Sequence, residues 1–246
     1  MAYEQLILVF VAFSLGGILK GATGAGAPFL AVPIMAILVD VPFAVAVFVF
    51  PNFASNAWQF WRYRTHSPNR RFVLRFAIAG VVGAGIGTLA LAGLSATILT
   101  STVALVVLSY VVFRLRNPTW SLTWPAAQAL SAPAGAIGGV LQGAIGISAP
   151  VSVTFMNAVG LQRNQFVFTM SVFFFAMALI QFPAQMALGI MTWERAGYSV
   201  LGIVPLLLGM PIGDFLGRRI ARETFDKIIL AVLTLLSLRL LWQNLF

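Results

Sequence analysis

Apolar runs follow one another along almost the whole chain, broken by few charged residues, and this succession limits the fold more than any single motif does. They fall at roughly 5–19, 24–39, 43–61, 73–93 and 97–113, and again at roughly 126–141, 145–159, 166–191, 197–216 and 226–243. About 20 apolar residues span the hydrocarbon core of a bilayer, and lipid is the solvent in which such runs need no charged surface. Composition agrees, with 60% of residues hydrophobic and 9% charged, against about half and about a quarter in soluble domains. The expected fold class is an all-α polytopic membrane protein without a soluble domain able to act alone. The first two runs of each set, at about 15 residues, are expected to be half-helices or steeply packed short helices.

The chain repeats itself. Gly16-Gly17-Ile18-Leu19-Lys20-Gly21-Ala22-Thr23-Gly24-Ala25-Gly26-Ala27-Pro28 is echoed by Gly138-Gly139-Val140-Leu141-Gln142-Gly143-Ala144-Ile145-Gly146-Ile147-Ser148-Ala149-Pro150, with eight of thirteen positions identical. The same offset carries Gln59-Phe60 onto Gln181-Phe182, and Gly83 and Gly87 match Gly209 and Gly213 at a slightly larger one. The expected organisation is two transmembrane repeats, residues 1–122 and 123–246, forming one membrane domain.

Loop charge orients the repeats. Arg62, Arg64, Arg70, Arg71 and Arg75 follow the third run of the first repeat, whereas the corresponding loop of the second carries only Glu194 and Arg195. After the fourth run the asymmetry reverses: Leu94-Ser95-Ala96 is uncharged, and its counterpart holds Arg218, Arg219, Arg222 and Lys227. Because basic loops stay cytoplasmic, the two repeats are expected to be inverted. Five crossings per repeat give that inversion, and so does a glycine-rich broken-helix hairpin plus three transmembrane helices. Twelve of the fifteen basic residues, Arg114, Arg116 and Arg163 among them, then fall on the cytoplasmic side; Lys20, Arg195 and Arg239 do not. Glu4 and Asp40 fall outside. All six tryptophans lie near segment ends, as interfacial aromatic anchors do. The net charge of +9 is thereby assigned to topology rather than to nucleic-acid binding.

Several chemistries have no basis in the sequence. Cysteine is absent, which excludes disulfides and thiolate ligands. His66 stands alone in the most basic loop and reads as a solvated residue. No HExxH, GxSxG or paired carboxylates occur. The glycine run at Gly21–Gly26 follows an apolar helix and lacks the Gly-Lys-Ser/Thr of a phosphate loop. No enzyme activity, metal or cofactor is expected. Glu4 precedes the first apolar run with no basic region before it, so that run does not read as a cleavable signal.

Inverted repeats with interrupted helices mark secondary transporters, whose substrate site lies where the two breaks meet near the midplane. The breaks are read as Lys20–Pro28 and Gln142–Pro150. Gly21, Gly24, Gly26, Gly143 and Gly146 are expected to permit backbone turns there. Pro28 and Pro150 suit the first turn of the helices that follow, whose N–H groups face an anion. Thr23 and Ser148 lie within the breaks.

Lys20 is a lone cation between apolar segments. Two readings stand: an anion-binding charge in the interior, or a snorkelling side chain at a hairpin tip that reaches the interface. In the third run Asn52, Asn56 and Gln59 share a helical face, with Ser55 beside them, and Gln181 and Gln185 occupy the equivalent run of the second repeat. These amides serve either an oxyanion or helix–helix hydrogen bonding. Arg163, just after Gly160, reads as a topology charge or as the mouth of the pathway. Asp214 and Glu194 are carboxylates near segments of the second repeat, and their terminal placement argues against their carrying a coupling proton.

At the duplicated glycine-rich segment, which in its first copy runs on to Ala31-Val32-Pro33, the sequence resembles the TauE/SafE sulfite exporter family. The two-repeat layout extends the resemblance over nearly the whole chain. The family implies a multi-pass protein of the bacterial inner membrane that moves sulfite or a small organosulfur or sulfonate anion, often outward, with a proton or sodium ion as a possible coupling partner. A transporter of another anion such as a carboxylate, an anion channel of the same architecture and a membrane enzyme or assembly factor are the competing readings.

Overall fold

The structure, a computed structural model, describes the backbone of residues 3–219 and 222–245 and the side chains of residues 3–219 and 227–243. Within them every regular element is helical, in the order α1(Tyr3–Thr23), α2(Ala27–Leu38), α3(Val41–Val47), α4(Val49–Tyr63), α5(Arg70–Gly93), α6(Ala96–Arg116), α7(Trp124–Ile145), α8(Ala149–Val159), α9(Arg163–Ala187), α10(Trp193–Arg219) and α11(Arg222–Leu245). Residues 220 and 221 and the Arg222 side chain, part of the expected second basic loop, lie outside the described residues.

Six helical stretches are long and apolar enough to cross a membrane, α3 and α4 counting as one. At 12 and 11 residues α2 and α8 are too short to cross. The expectation that the first run of each set is also short fails. α1 runs for 21 residues and α7 for 22, so only the second member of each pair is a half-helix. The sequence hides this because Lys20 and Gln142 look like the edges of apolar runs. Both are instead buried in the last turns of full-length helices.

Glycine explains why α1 and α7 continue. On α1, a Cβ at Gly17 would lie 2.1 Å from the carbonyl oxygen of Leu206, and one at Gly21 would lie 1.9 Å from that of Met210. From the other side, Gly209 and Gly213 meet the carbonyls of Ser14 and Ile18. α7 and α5 repeat the arrangement: Gly139 and Gly143 face the carbonyls of Gly80 and Ala84, and Gly83 and Gly87 face those of Ala136 and Val140. Each crossing is therefore two small-xxx-small stripes set face to face, with the helices running parallel and their backbones touching. Gly21 and Gly143, expected to turn the chain, are helical; their missing side chains admit a neighbouring backbone.

The outer surface suits lipid. Ile78, Val82, Ile86 and Leu89 on α5 are 55–61% exposed, and Val204, Leu208, Ile212 and Phe215 on α10 are 52–66% exposed. Such stripes in water would far exceed the apolar patches that soluble proteins tolerate. All six tryptophans are also exposed. Polar caps hold the helix starts near loops, with Asp40 accepting from the Phe43 N–H at 2.6 Å and Asn69 from that of Phe72 at 3.0 Å.

The crossings give a direct test. Gly87→Ala and Gly213→Ala insert a methyl against a carbonyl at 2.1 and 1.9 Å, and are expected to destabilise the fold by about 1–3 kcal/mol each. Gly85→Ala, on the same helix but facing open space, is expected to leave the melting temperature in detergent unchanged or raised. Equal melting of all three would show that the close approach carries no energy.

Candidate functional site

The chain breaks after α1 and after α7 over three residues each. Gly24 and Gly26 stand at φ 86° and 94°, and Gly146 at φ 71°. These are the left-handed positions that glycine adopts without penalty. Ser148, the counterpart of Gly26, takes an ordinary φ of −97°, so the second break turns with one glycine where the first needs two. Thr23 ties the first break together, its hydroxyl engaging the carbonyls of Leu19 and Ala25. Ser148 and Ser152 bond to each other at 3.0 Å within the second.

The surroundings of the two breaks correspond. A Cβ on Gly24 would strike Val167, and one on Gly146 would strike Val45; Val45 and Val167 are separated by the same sequence offset as Gly24 and Gly146. A glutamine secures each break: Gln59 donates to the Gly24 carbonyl at 3.1 Å, and Gln181 to the Gln142 carbonyl at 3.2 Å. The helices that leave the breaks have no side-chain cap. Gly26 and Ser148 occupy the cap positions without a side-chain bond, and a proline stands at the start of α2 and of α8. Their first-turn N–H groups keep the partial positive charge of a helix N-terminus.

Lys20 is 2% exposed. Its Nζ donates to Asn56 Oδ1 at 2.7 Å and to Ser55 Oγ at 3.0 Å. Asn56 in turn donates to the Asn52 side-chain oxygen and carbonyl, both at 2.7 Å. The side chain therefore ends on α4 inside the bundle and does not snorkel. Every partner is neutral, and no carboxylate among the described residues pairs with it. Ser55, which the choice of Asn52, Asn56 and Gln59 passed over, is a direct partner; it lies three residues after Asn52 and four before Gln59, on the same face, and that spacing was the available signal.

Among the described residues, five buried side-chain atoms lack a hydrogen-bond partner: Gln59 Oε1, Gln142 Oε1, Thr154 Oγ1 and both amide atoms of Gln185. Each orphan costs roughly 1–3 kcal/mol if nothing completes it. Four of the five belong to glutamines singled out from the sequence. Asn52, Asn56, Gln59, Gln142, Gln181 and Gln185 are all buried, while Thr23 is exposed.

A cavity of about 450 Å³ opens beside these groups. Thr23, Ala25 and Gly26 line it at the first break, and Ala149, the first residue of α8, lines it from the second half of the chain. Its rim carries Tyr110, Arg114, Asn157 and Arg163. Arg163, the first residue of α9, reaches Asp214 on α10 at 3.0 Å, and Asp214 also accepts from Arg218 at 2.8 Å. Arg114 and Asn157 gave no sequence signal, because only the approach of α6 and α8 brings them there. The cavity lining does not include Lys20, Gln59, Gln142 or Gln181; these line the core behind it. Of the candidate carboxylates, Asp214 is held in the two-arginine bridge and Glu194 accepts from the Tyr198 hydroxyl at 2.9 Å.

Two short helices, each after a break at the end of a long one, with broken backbone inside the bundle and polar groups gathered around it, are the features of a membrane transport protein. The sequence model of the sulfite exporter TauE/SafE family matches residues 8–240. The chain belongs to that family of membrane transporters and is a multi-pass integral membrane protein. No individually curated protein and no solved structure matched it.

Gln185 separates a functional burden from a structural one. Gln185→Met fills a similar volume and removes two orphaned polar atoms, so thermal stability is expected to rise by about 1–3 kcal/mol. Transport by the reconstituted protein is expected to fall. Lower stability with unchanged transport would assign Gln185 to the scaffold instead.

Proposed function

We propose that the protein is a secondary transporter that exports sulfite or a small organosulfur anion across the bacterial inner membrane. The family match supplies the class of cargo. The observation that carries the site is Lys20, a buried amine with only neutral partners, one turn before a broken helix. Burying an ammonium without a counter-charge is costly. An anionic substrate supplies the missing charge, and the N–H groups at the starts of α2 and α8 supply further donors. Sulfite carries three oxygens that accept such bonds, and charge-assisted hydrogen bonds are about twice as strong as neutral ones. In this reading Gly21, Gly24, Gly26, Gly143 and Gly146 shape the binding region. Thr23, Asn52, Asn56, Gln59, Gln142, Ser148, Gln181 and Gln185 provide its polar wall, and Arg163 marks the mouth.

The hollow supports access to the site from the cytoplasm. Its rim is built from Arg114, the α8–α9 link and the end of α10, the basic side that the positive-inside rule assigns to the cytoplasm. The open side thus faces the compartment from which an exporter loads. The reciprocal crossings of α1 with α10 and of α5 with α7, built from matching glycines, support reading residues 1–122 and 123–246 as inverted repeats that rock about the site. A proton or sodium ion is the proposed coupling partner.

Topology is testable in the cysteine-free chain. Single cysteines at Ser67 and Thr192, both exposed, are expected to react with an impermeant thiol reagent from opposite sides of intact cells. Labelling of both from one side would sink the inverted arrangement.

The Lys20 series tests the site. Lys20→Gln makes the first break resemble the second, where Gln142 sits; it is expected to fold and to lose transport about ten-fold or more, since one charge-assisted bond contributes roughly 1.5–3 kcal/mol. Lys20→Arg is expected to rescue poorly, because the planar guanidinium needs more room than an ammonium beside Gly21 and Met210. Lys20→Glu is expected to be worse than either. Sulfite binding and efflux at matched expression decide the matter. Wild-type transport by Lys20→Gln would leave the helix N-termini and amides to hold the anion alone, and the proposed role of Lys20 would fail.

A further inference from the structure

Away from the broken helices, α5 and α7 form a second concavity, a groove of about 590 Å³. Arg70, Arg71 and Arg75 line one end of it, almost wholly through their aliphatic stems, and Leu74, Ile78 and Ala132 form its apolar floor. We propose that this groove binds the headgroup and upper acyl chain of an anionic phospholipid from the adjoining leaflet. The proposal rests on α5 spanning the membrane and not on what the protein transports.

Three observations carry it. First, the arginines are exposed, and among the described residues no carboxylate pairs with them. The first turn of α5 contains no acid, so Arg70 and Arg71 stand at the positive end of their own helix, where each is unfavourable unless an anion offsets it. Second, charge and apolarity are graded along the helix axis. Arg71, Leu74, Arg75 and Ile78 follow the i, i+3, i+4, i+7 spacing of one face. That face runs from the basic end toward the stripe of Ile78, Val82 and Ile86, 55–61% exposed, that suits acyl chains. A small soluble anion would use the arginines but not the floor; a lipid uses both. Third, the groove is intramolecular. Gly135 of α7 lies against the backbone of Phe76, and this approach sets Ala132 beside α5 as the far wall. Basic hollows between transmembrane helices on the cytoplasmic side hold acidic lipid headgroups.

Purified protein exchanged into mixed phosphatidylglycerol and phosphatidylcholine, examined by native mass spectrometry, provides the test. The wild type is expected to retain one phosphatidylglycerol in preference to phosphatidylcholine. Arg71→Gln with Arg75→Gln should reduce that preference roughly ten-fold or more, at about 1 kcal/mol per basic residue near the surface. Leu74→Trp, which fills the floor and keeps every charge, should also displace the lipid. Arg62→Gln with Arg64→Gln removes equal charge from the neighbouring loop and should leave binding intact. Loss in this loop variant equal to that in the groove variant would reduce the effect to general surface charge and overturn the proposal. Retention by Leu74→Trp, together with displacement of the lipid by millimolar glycerol 3-phosphate, would overturn it in favour of a soluble-phosphate site. Thermal melts establish folding; if the double arginine variant does not fold, Leu74→Trp decides alone.

Discussion

Contact between helix backbones at glycine stripes is the constraint on which the rest of this structure depends. Lipid tails are as apolar as leucine, so burial of apolar side chains does not by itself drive helices together in a membrane. Here α1 closes on α10 and α7 on α5 until peptide groups touch, with Gly17, Gly21, Gly209 and Gly213 at one crossing and Gly83, Gly87, Gly139 and Gly143 at the other. Those contacts hold the ends of α1 and α7 deep in the bundle. The irregular backbone that follows each of them is thereby kept away from hydrocarbon, where its unpaired polar groups would be costly. Gln59 and Gln181 then each satisfy one carbonyl at a break.

The two halves share a backbone plan and differ in chemistry. Where the second carries Gln142, the first carries Lys20; where the first has Gly26, the second has Ser148. Among the described residues Lys20 is the one buried side chain of an acidic or basic type. Its amine donates to Ser55 and Asn56, and Asn52 accepts in turn from Asn56. Neutral hydrogen-bonding partners lower the burial cost while leaving attraction for an anion undiminished, which a carboxylate partner would not do. Charge on the rim acts differently. Arg163 is half-exposed and already paired with Asp214, so its field is screened by water and by its partner.

The apolar runs, the exposed tryptophans and the inventory of polar residues were legible because each follows from side-chain chemistry in lipid. The internal echo at Gly16–Pro28 and Gly138–Pro150 located both breaks to within a turn. It misjudged their extent, since Gly21 and Gly143 look like turn residues in sequence and are helix-crossing residues in space. A glycine is favoured by a left-handed φ and by a touching backbone alike, and only the neighbours distinguish the two. The later match of Gly83 and Gly87 with Gly209 and Gly213 proved to be the other half of the same crossings.

The sequence alone determined that this chain is a helical membrane protein, that a glycine-rich segment recurs in it, and that its apolar runs carry amides and a lone lysine. Hydropathy and spacing are local properties and survive without a fold. Tertiary structure decided which atoms meet: that Lys20 ends on Ser55 and Asn56, that the Gln185 side-chain amide is left without partners, and that Arg114 and Asn157 join Arg163 around a hollow beside the first break. Those relations join residues distant along the chain, and their distances are set by how closely the glycine-striped helices approach, a quantity no local pattern encodes.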